Sequence, residues 1–292
     1  MKTIFLIIAA ALLGGRAGWA APLTESTFTE IINEVATVST DGSATTSKVN
    51  DLLKAPDRVR TGPESRAELT AADNTITRVG ANTIFSFADN GRTLNLEQGN
   101  LLFHAPKGLG GGTIKSGGAA AAVLGTTLIV SATPDGGFKV ILLEGKGTVT
   151  VPNTPPATLN AGQLVFVLPG GKLSPVLNIN LGKLVGGSQL VKGFSHGLTS
   201  LPLIEAAIHD QNLKLASGGA VDTGLPPGSF LNPPSPGNGL DALPPGTYQV
   251  AVPQPYSQAQ LNSLIFGSPK AAFVPGGPGG RGILPARALP AG

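Results

Sequence analysis

Three histidines are the residues in this sequence best suited to acid–base chemistry or metal binding. His104, His196 and His209 lie far apart in the chain, and only His209 has a carboxylate four residues away, at Glu205. A zinc site takes three or four ligands, so these two side chains on one predicted helix are too few. We interpret Glu205 and His209 as an exposed pair on one helix face, and we predict no metal site.

Two glycine-rich stretches resemble pieces of a phosphate-binding loop. Residues 108–112 read Gly-Leu-Gly-Gly-Gly, and residues 145–148 read Gly-Lys-Gly-Thr. A true phosphate loop needs Gly-Lys followed by Ser or Thr at the start of a helix, whereas Lys146 precedes another glycine and a β-branched run. Both stretches are predicted to be turns, and we expect no cofactor.

The remaining polar residues do not form an obvious catalytic set. Asp57 and Glu144 flank turn glycines and are expected to accept backbone N–H bonds. No serine nucleophile with an elbow motif and an activating histidine is expected. Arg78 shares a strand face with Ile76, so its stem should be buried and its head paired with an acid; we expect the same of Arg66. We predict no catalytic residue and no enzyme.

The composition limits the classes of partner. Only 13% of the 292 residues are charged, against about 25% in typical globular proteins. The net charge is +3, with no block of Lys and Arg, so a nucleic-acid partner is not expected. There is no cysteine, which excludes disulfides, thiol nucleophiles and Cys-ligated metals.

Residues 1–20 have the pattern of a secretory signal peptide. Lys2 gives a positive start, residues 4–13 are an uninterrupted apolar run, and Gly18 and Ala20 supply the small residues of a cleavage site. The run is shorter than the ~20 residues that span a bilayer, so a cleaved signal is favoured over an anchor helix. No later stretch is long enough to span. The mature chain is therefore expected in the periplasm or outside the cell.

Residues 21–170 read as an all-β domain. Short β-forming runs alternate with Gly, Asn, Asp and Pro turns, and no helix intervenes, which is typical of many antiparallel strands in a sandwich or stacked β-roll. Residues 28–39 are ambiguous, because their apolar spacing suits a helix while their end suits a strand. Residues 138–143 are apolar on both faces, which predicts a strand inside a stack of layers.

The rest of the chain changes character twice. Residues 171–215 carry apolar residues at helical spacing, interrupted by Gly186 and Gly187, with Pro202 at the start of a second apolar stripe. They predict a small appendage of two short helices on the β domain. Residues 216–292 are rich in Pro and Gly and poor in charge, and they are predicted to be disordered.

Six short motifs, in this order, resemble those of the FecR-domain family. The motifs are an Asp-x-Val-x-Thr-Gly turn, Ser-Arg-Ala-x-Leu, an Arg-x-Gly-x-Asn-Thr turn, Gly-x-Leu-Leu, Gly-Thr-Thr and a final strand that opens with Leu-Glu-Gly. They stand here at residues 57–62, 65–69, 78–83, 99–102, 125–127 and 143–149. The resemblance covers about residues 35–168.

The resemblance implies a periplasmic sensing or scaffold domain. Family members are best known as parts of transmembrane anti-sigma regulators that receive a signal from an outer-membrane iron transporter. Here a signal peptide is expected in place of the cytoplasmic segment and spanning helix, so the sigma-factor role is not expected to carry over.

The function expected from these features is that of an exported, non-catalytic FecR-type binding module. Its expected partner is an envelope protein or glycan that the sequence does not identify, and envelope sensing or signalling would be its context. The alternative is a structural or adhesive envelope protein that self-associates through exposed β edges.

Export predicts a defined mature N-terminus. N-terminal sequencing of the protein recovered from its native envelope should begin at Ala21, because Gly18 and Ala20 satisfy the small-residue requirement of signal cleavage. Recovery of the chain with Met1 intact from the cytosolic fraction would contradict this prediction.

Overall fold

The computed structural model describes residues 22–89, 91–134, 136–168 and 171–219. The predicted signal peptide and nearly all of the predicted tail lie outside these residues. In chain order, the elements are β1 (Glu25–Ile32), β2 (Val35–Val38), β3 (Ala44–Thr46), β4 (Leu52–Lys54), β5 (Arg58–Thr61), β6 (Arg66–Thr70), β7 (Ile76–Val79), β8 (Ile84–Phe87), β9 (Thr93–His104), β10 (Gly112–Ser116), β11 (Ala119–Val123), β12 (Thr127–Ala132), β13 (Phe138–Glu144), β14 (Lys146–Val151), β15 (Thr154–Asn160), β16 (Gln163–Leu168), β17 (Lys172–Leu173), β18 (Leu177–Asn178), α1 (Leu181–Gly187), α2 (Gln189–Lys192) and α3 (Leu201–Ala216).

The strands form two sheets that share β9. The inner sheet has the order β4-β1-β6-β7-β9-β12-β13-β16, with β17 and β18 both paired to β16. The outer sheet has the order β3-β2-β5-β8-β9-β10-β11-β14-β15. Among the described strands, all pairs are antiparallel except β9 with β10. The predicted all-β class of stacked, mainly antiparallel strands is confirmed.

Strand β9 passes from one sheet to the other at Gly99. Its first part pairs with β8 and β10 in the outer sheet, and residues 99–104 pair with β12 in the inner sheet. Gly99 has φ +93°, and a Cβ there would overlap Thr83 Oγ1. Only glycine combines this left-handed backbone with such close packing.

Two apolar cores separate three layers. The first lies between the sheets and includes Phe138, Val140 and Leu142 of β13. The second lies on the opposite face of the inner sheet, where Ile141 and Leu143 pack against the helices. The prediction that residues 138–143 are buried on both faces is confirmed, since all seven residues of β13 are buried.

The helical layer covers the inner sheet with three helices rather than two. Helix α1 ends at Gly187, where the sequence predicts an interruption, and α2 starts two residues later. Pro202 occupies the first turn of α3, as expected. Within the described residues, no helix is both long and apolar enough to cross a membrane.

Arg78 joins the helical layer to the inner sheet. Its side chain is fully buried, and its Nε donates to Glu68 Oε2 at 2.8 Å. Its two terminal nitrogens donate to three carbonyls of the helical segment, those of Leu190 at 3.1 Å, Val191 at 3.0 Å and His196 at 2.6 Å. The guanidinium carbon also lies 4.4 Å from the centroid of the Phe194 ring. The predicted buried pairing of Arg78 with an acid is therefore confirmed.

The same expectation is wrong for Arg66. Arg66 Nε donates to the Gly193 carbonyl at 3.3 Å, and no carboxylate of the described segments forms an ion pair with it. The reason is register: Arg66 is half-buried at the start of β6, whereas Glu68 stands directly opposite Arg78 across β6 and β7.

Replacing Arg78 with Met should destabilise the fold by about 3–5 kcal/mol, because Glu68, two buried carbonyls and the partly buried carbonyl of His196 would lose their donor. Urea denaturation measures the free energy of unfolding. Arg66→Met is the matched control and should cost about 1 kcal/mol, the scale of one hydrogen bond. Equal losses from the two substitutions would show that Arg78 does not hold the layers together.

Candidate functional site

Four of the six motifs of this chain are joined in pairs by buried polar contacts. Thr61 Oγ1 donates to the Gly80 carbonyl at 2.6 Å and accepts from Thr83 N at 2.9 Å, which ties the first turn to the Asn-Thr turn. Glu144 Oε1 accepts from Thr127 Oγ1 at 2.9 Å, which ties the last two motifs. These contacts hold strands together below the surface.

A second buried polar cluster surrounds Thr127. The Thr127 hydroxyl lies 2.9 Å from His104 Nδ1, 2.9 Å from Glu144 Oε1 and 2.9 Å from Ser200 Oγ, and all four residues are buried. Ser200 is the N-cap residue of α3, but its hydroxyl bonds to this cluster instead of capping the helix. The cluster is thus a buried polar anchor for α3.

Burial shifts both titratable groups of this cluster toward their neutral forms. It lowers the pKa of His104, and it raises the pKa of Glu144 although hydrogen bonding from Thr127 and the charge of Lys107 oppose the rise. Thr127 has one hydroxyl proton. When that proton goes to an ionised Glu144, His104 Nδ1 must be the protonated ring nitrogen that donates to Thr127. When Glu144 is protonated, Thr127 can instead donate its hydroxyl proton to His104 Nδ1.

The other histidines are exposed and scattered. Glu205 and His209 both lie on the exposed side of α3, as predicted. Groups of three or more His, Cys, Asp or Glu side chains arranged to hold a metal ion are absent from the described part of the chain.

Ser195 does contact a histidine, contrary to the expectation for serines. Its Oγ lies 2.8 Å from His196 Nδ1 and donates to Glu30 Oε2 at 2.6 Å. Glu30 approaches the same Nδ1 at 3.7 Å. In a catalytic triad, the carboxylate and the hydroxyl contact opposite ring nitrogens, so this exposed arrangement differs from one. Ser195 and His196 are adjacent in the sequence, so their contact could have been anticipated, whereas the contact with the remote Glu30 could not.

The glycine-rich stretches are turns, as predicted. Residues 108–111 form the connection into β10, and Gly145 forms the tight turn between β13 and β14 with φ +80°. Neither stretch precedes a helix. Neither acid shows the predicted bond to a turn N–H among the described contacts: Asp57 has no such bond, and Glu144 accepts from the side-chain hydroxyl of Thr127.

The outer sheet carries a row of polar side chains that the sequence did not indicate. Cα partners across four adjacent strands are Arg58 with Ser86, Ser86 with Asn95, and Asn95 with Lys115. Their sequence neighbours Val59, Phe85, Leu94 and Ile114 are buried between the sheets. Since side chains alternate along a strand, these four polar residues point outward; we call them the polar row.

A groove of about 480 Å³ adjoins this row. It is lined by Asn95, Glu97, Lys115, Ala120 and Pro134, together with the glycine turn between β10 and β11. Residues 93–95 of β9 pair with β10, and residues 99–104 pair with β12. The groove lies beside residues 96–98, between these two pairings. Glu97 occupies the register shift between β8 and β9 and pairs with Arg58 at 3.5 Å.

Comparison with known families tests whether the six motifs indicate a FecR domain. The FecR protein family model matches residues 57–146. These residues are a FecR domain. The predicted resemblance is confirmed over that range, which contains the whole polar row and all the residues that line the groove.

Similar solved structures and curated proteins add little detail. Two crystal structures of a proposed anti-sigma factor from Parabacteroides distasonis are similar to this chain. One is 19% identical with a TM-score of 0.39, covering 44% of this chain and 62% of its own; the other is 20% identical with a TM-score of 0.41, covering 52% and 71%. This chain therefore spans less than two thirds of the first structure. The search of curated proteins gave no match.

Replacing Glu144 with Gln in the FecR domain should change how stability depends on pH. Because the folded pKa of Glu144 is raised, its favourable contribution is present below the unfolded pKa and is lost as pH rises through the folded pKa. The introduced glutamine stays neutral and can still accept from Thr127. Relative to the native chain, the variant should therefore gain stability as pH rises above the ordinary glutamate pKa of about 4.3 and through the raised folded pKa.

Urea midpoints at one-unit pH steps would measure this difference. Glu205→Gln, at an exposed position of α3, is the control for the loss of a glutamate charge. A Glu144→Gln difference that does not change with pH, or that falls as pH rises, would contradict the assigned role of burial.

Proposed function

We propose that this protein is an exported, non-catalytic FecR-domain module that binds a component of the cell envelope through the outer face of its outer sheet. One observation carries this proposal. Among the described residues, the inner sheet is covered by apolar layers on both faces, whereas one face of the outer sheet is covered by no described element and carries the polar row and the groove. Surfaces held on a rigid scaffold in this way are typical binding sites.

Export is supported by the sequence of residues 1–20, which carries the features of a cleaved signal peptide. Envelope sensing or signalling is the context in which FecR domains are best known, and it is proposed here on the strength of the family match to residues 57–146.

Self-association through β edges is the less favoured alternative. The outer sheet ends in β3, which has three residues, and in β15, which carries Pro155 and Pro156. The inner sheet ends in β4, with three residues, and in β17 and β18, with two residues each. Short edges and prolines are features that prevent strand pairing between copies.

Site-specific photo-crosslinking in the native envelope tests the proposed face. A photoreactive amino acid at Lys115 or Ala120 of the full-length protein should give a reproducible adduct with an envelope component. The same amino acid at Lys183, an exposed residue of α1 in the opposite layer, is the matched control. Adducts from Lys183 and none from Lys115 or Ala120 would mean that the binding surface is elsewhere.

A further inference from the structure

The polar row places two cations on the outer face at a separation set by the strand spacing. Arg58 and Lys115 stand on β5 and β10, three strand spacings apart, so their Cα atoms are separated by about 14 Å across the sheet. Ser86 and Asn95 lie between them in the same row. The order across the strands is therefore cation, hydroxyl, amide, cation.

This order fits a particular ligand chemistry. We infer that the outer face binds an acidic glycan, a linear sugar chain with carboxylates, which lies across the strands along the polar row. This inference rests on the proposed function and specifies its ligand. Arg58 and Lys115 would receive carboxylates through charge-assisted hydrogen bonds, while Ser86 and Asn95 would bond to the hydroxyls between them.

Other classes of ligand fit the face less well. Protein partners are usually anchored by large apolar side chains that enter pockets, whereas the groove beside the row is open and bounded by the Gly117 and Gly118 turn. Single-stranded nucleic acid needs aromatic platforms for its bases, and none of the residues that line the groove is aromatic. A hydroxyl-rich, anionic chain matches both the charge and the small polar side chains.

The negative charge of Glu97 repels an anionic ligand on this face. Changing Glu97 therefore tests whether the ligand is negatively charged. Its ion pair with Arg58 is 3.5 Å long, with 44% of the Arg58 side chain and 47% of the Glu97 side chain exposed. Such exposed pairs are weak, so a glycan carboxylate can displace Glu97 from Arg58. Removing the Glu97 charge should then strengthen binding, whereas removing either cation should weaken it.

Binding of the full-length mature protein to polygalacturonate, measured by calorimetry at low salt, tests the inference. Lys115→Gln and Arg58→Gln should each lower the affinity about fivefold, the scale of one exposed charge contact, and Glu97→Gln should raise it by a similar factor. Lys183→Gln, on α1, should leave it unchanged. Thermal melts should confirm that these surface variants remain folded.

Comparison probes separate the alternatives. A neutral glucan should not bind. Polyglutamate that binds as tightly as polygalacturonate would assign the face to an acidic protein segment and overturn the glycan. Failure of polygalacturonate to bind would overturn it too, as would an equal loss of affinity from Lys183→Gln. If crosslinking at Lys115 still captures an envelope component in those cases, the proposed function stands without the glycan.

Discussion

Strand β9 must leave one sheet and enter the other within a single residue, and glycine is what permits it. Gly99 takes a left-handed φ in a space where any Cβ would overlap Thr83. The transfer also makes the two strands on one side of β9 diverge, since β10 stays with the outer sheet and β12 with the inner. The groove opens at this divergence. A backbone requirement inside the FecR domain thus creates the concavity on its surface.

The buried guanidinium of Arg78 determines which face remains open. A charged group in this position needs partners for all its donors. Three of these partners are the carbonyls of Leu190, Val191 and His196. The helical layer is therefore held against the inner sheet by a polar joint as well as by its apolar residues. With the inner sheet covered on both faces, the outer sheet is the one that presents a strand face to solvent within the described part of the chain.

Local sequence patterns predicted the fold wherever burial alone sets the structure. The two-sided apolar run of β13 indicated an interior strand, and Gly186 and Gly187 indicated the break between α1 and α2. Residues 28–39 stayed ambiguous because Phe28, Ile31 and Ile32 suit either a helix face or a strand. Pairing with β6 and β5, which are more remote in sequence, selects strands there. Arg66 and Arg78 received the same prediction because local sequence does not contain the strand register. That register places Glu68 opposite Arg78.

The polar row could not be predicted because it is assembled by register across four strands. Arg58 and Lys115 are separated by dozens of residues, and the register shift at Glu97 decides which residues of β9 stand opposite β8. The first FecR motif shows why a family match leaves the ligand open. Its specified positions Val59 and Thr61 point inward and are buried, whereas Arg58 and Arg60 occupy its unspecified positions and point outward. Ser86, Asn95 and Lys115 lie outside the motifs altogether. The motif residues therefore maintain the scaffold, whereas the chemistry of the open face is set by residues that the motifs leave unspecified.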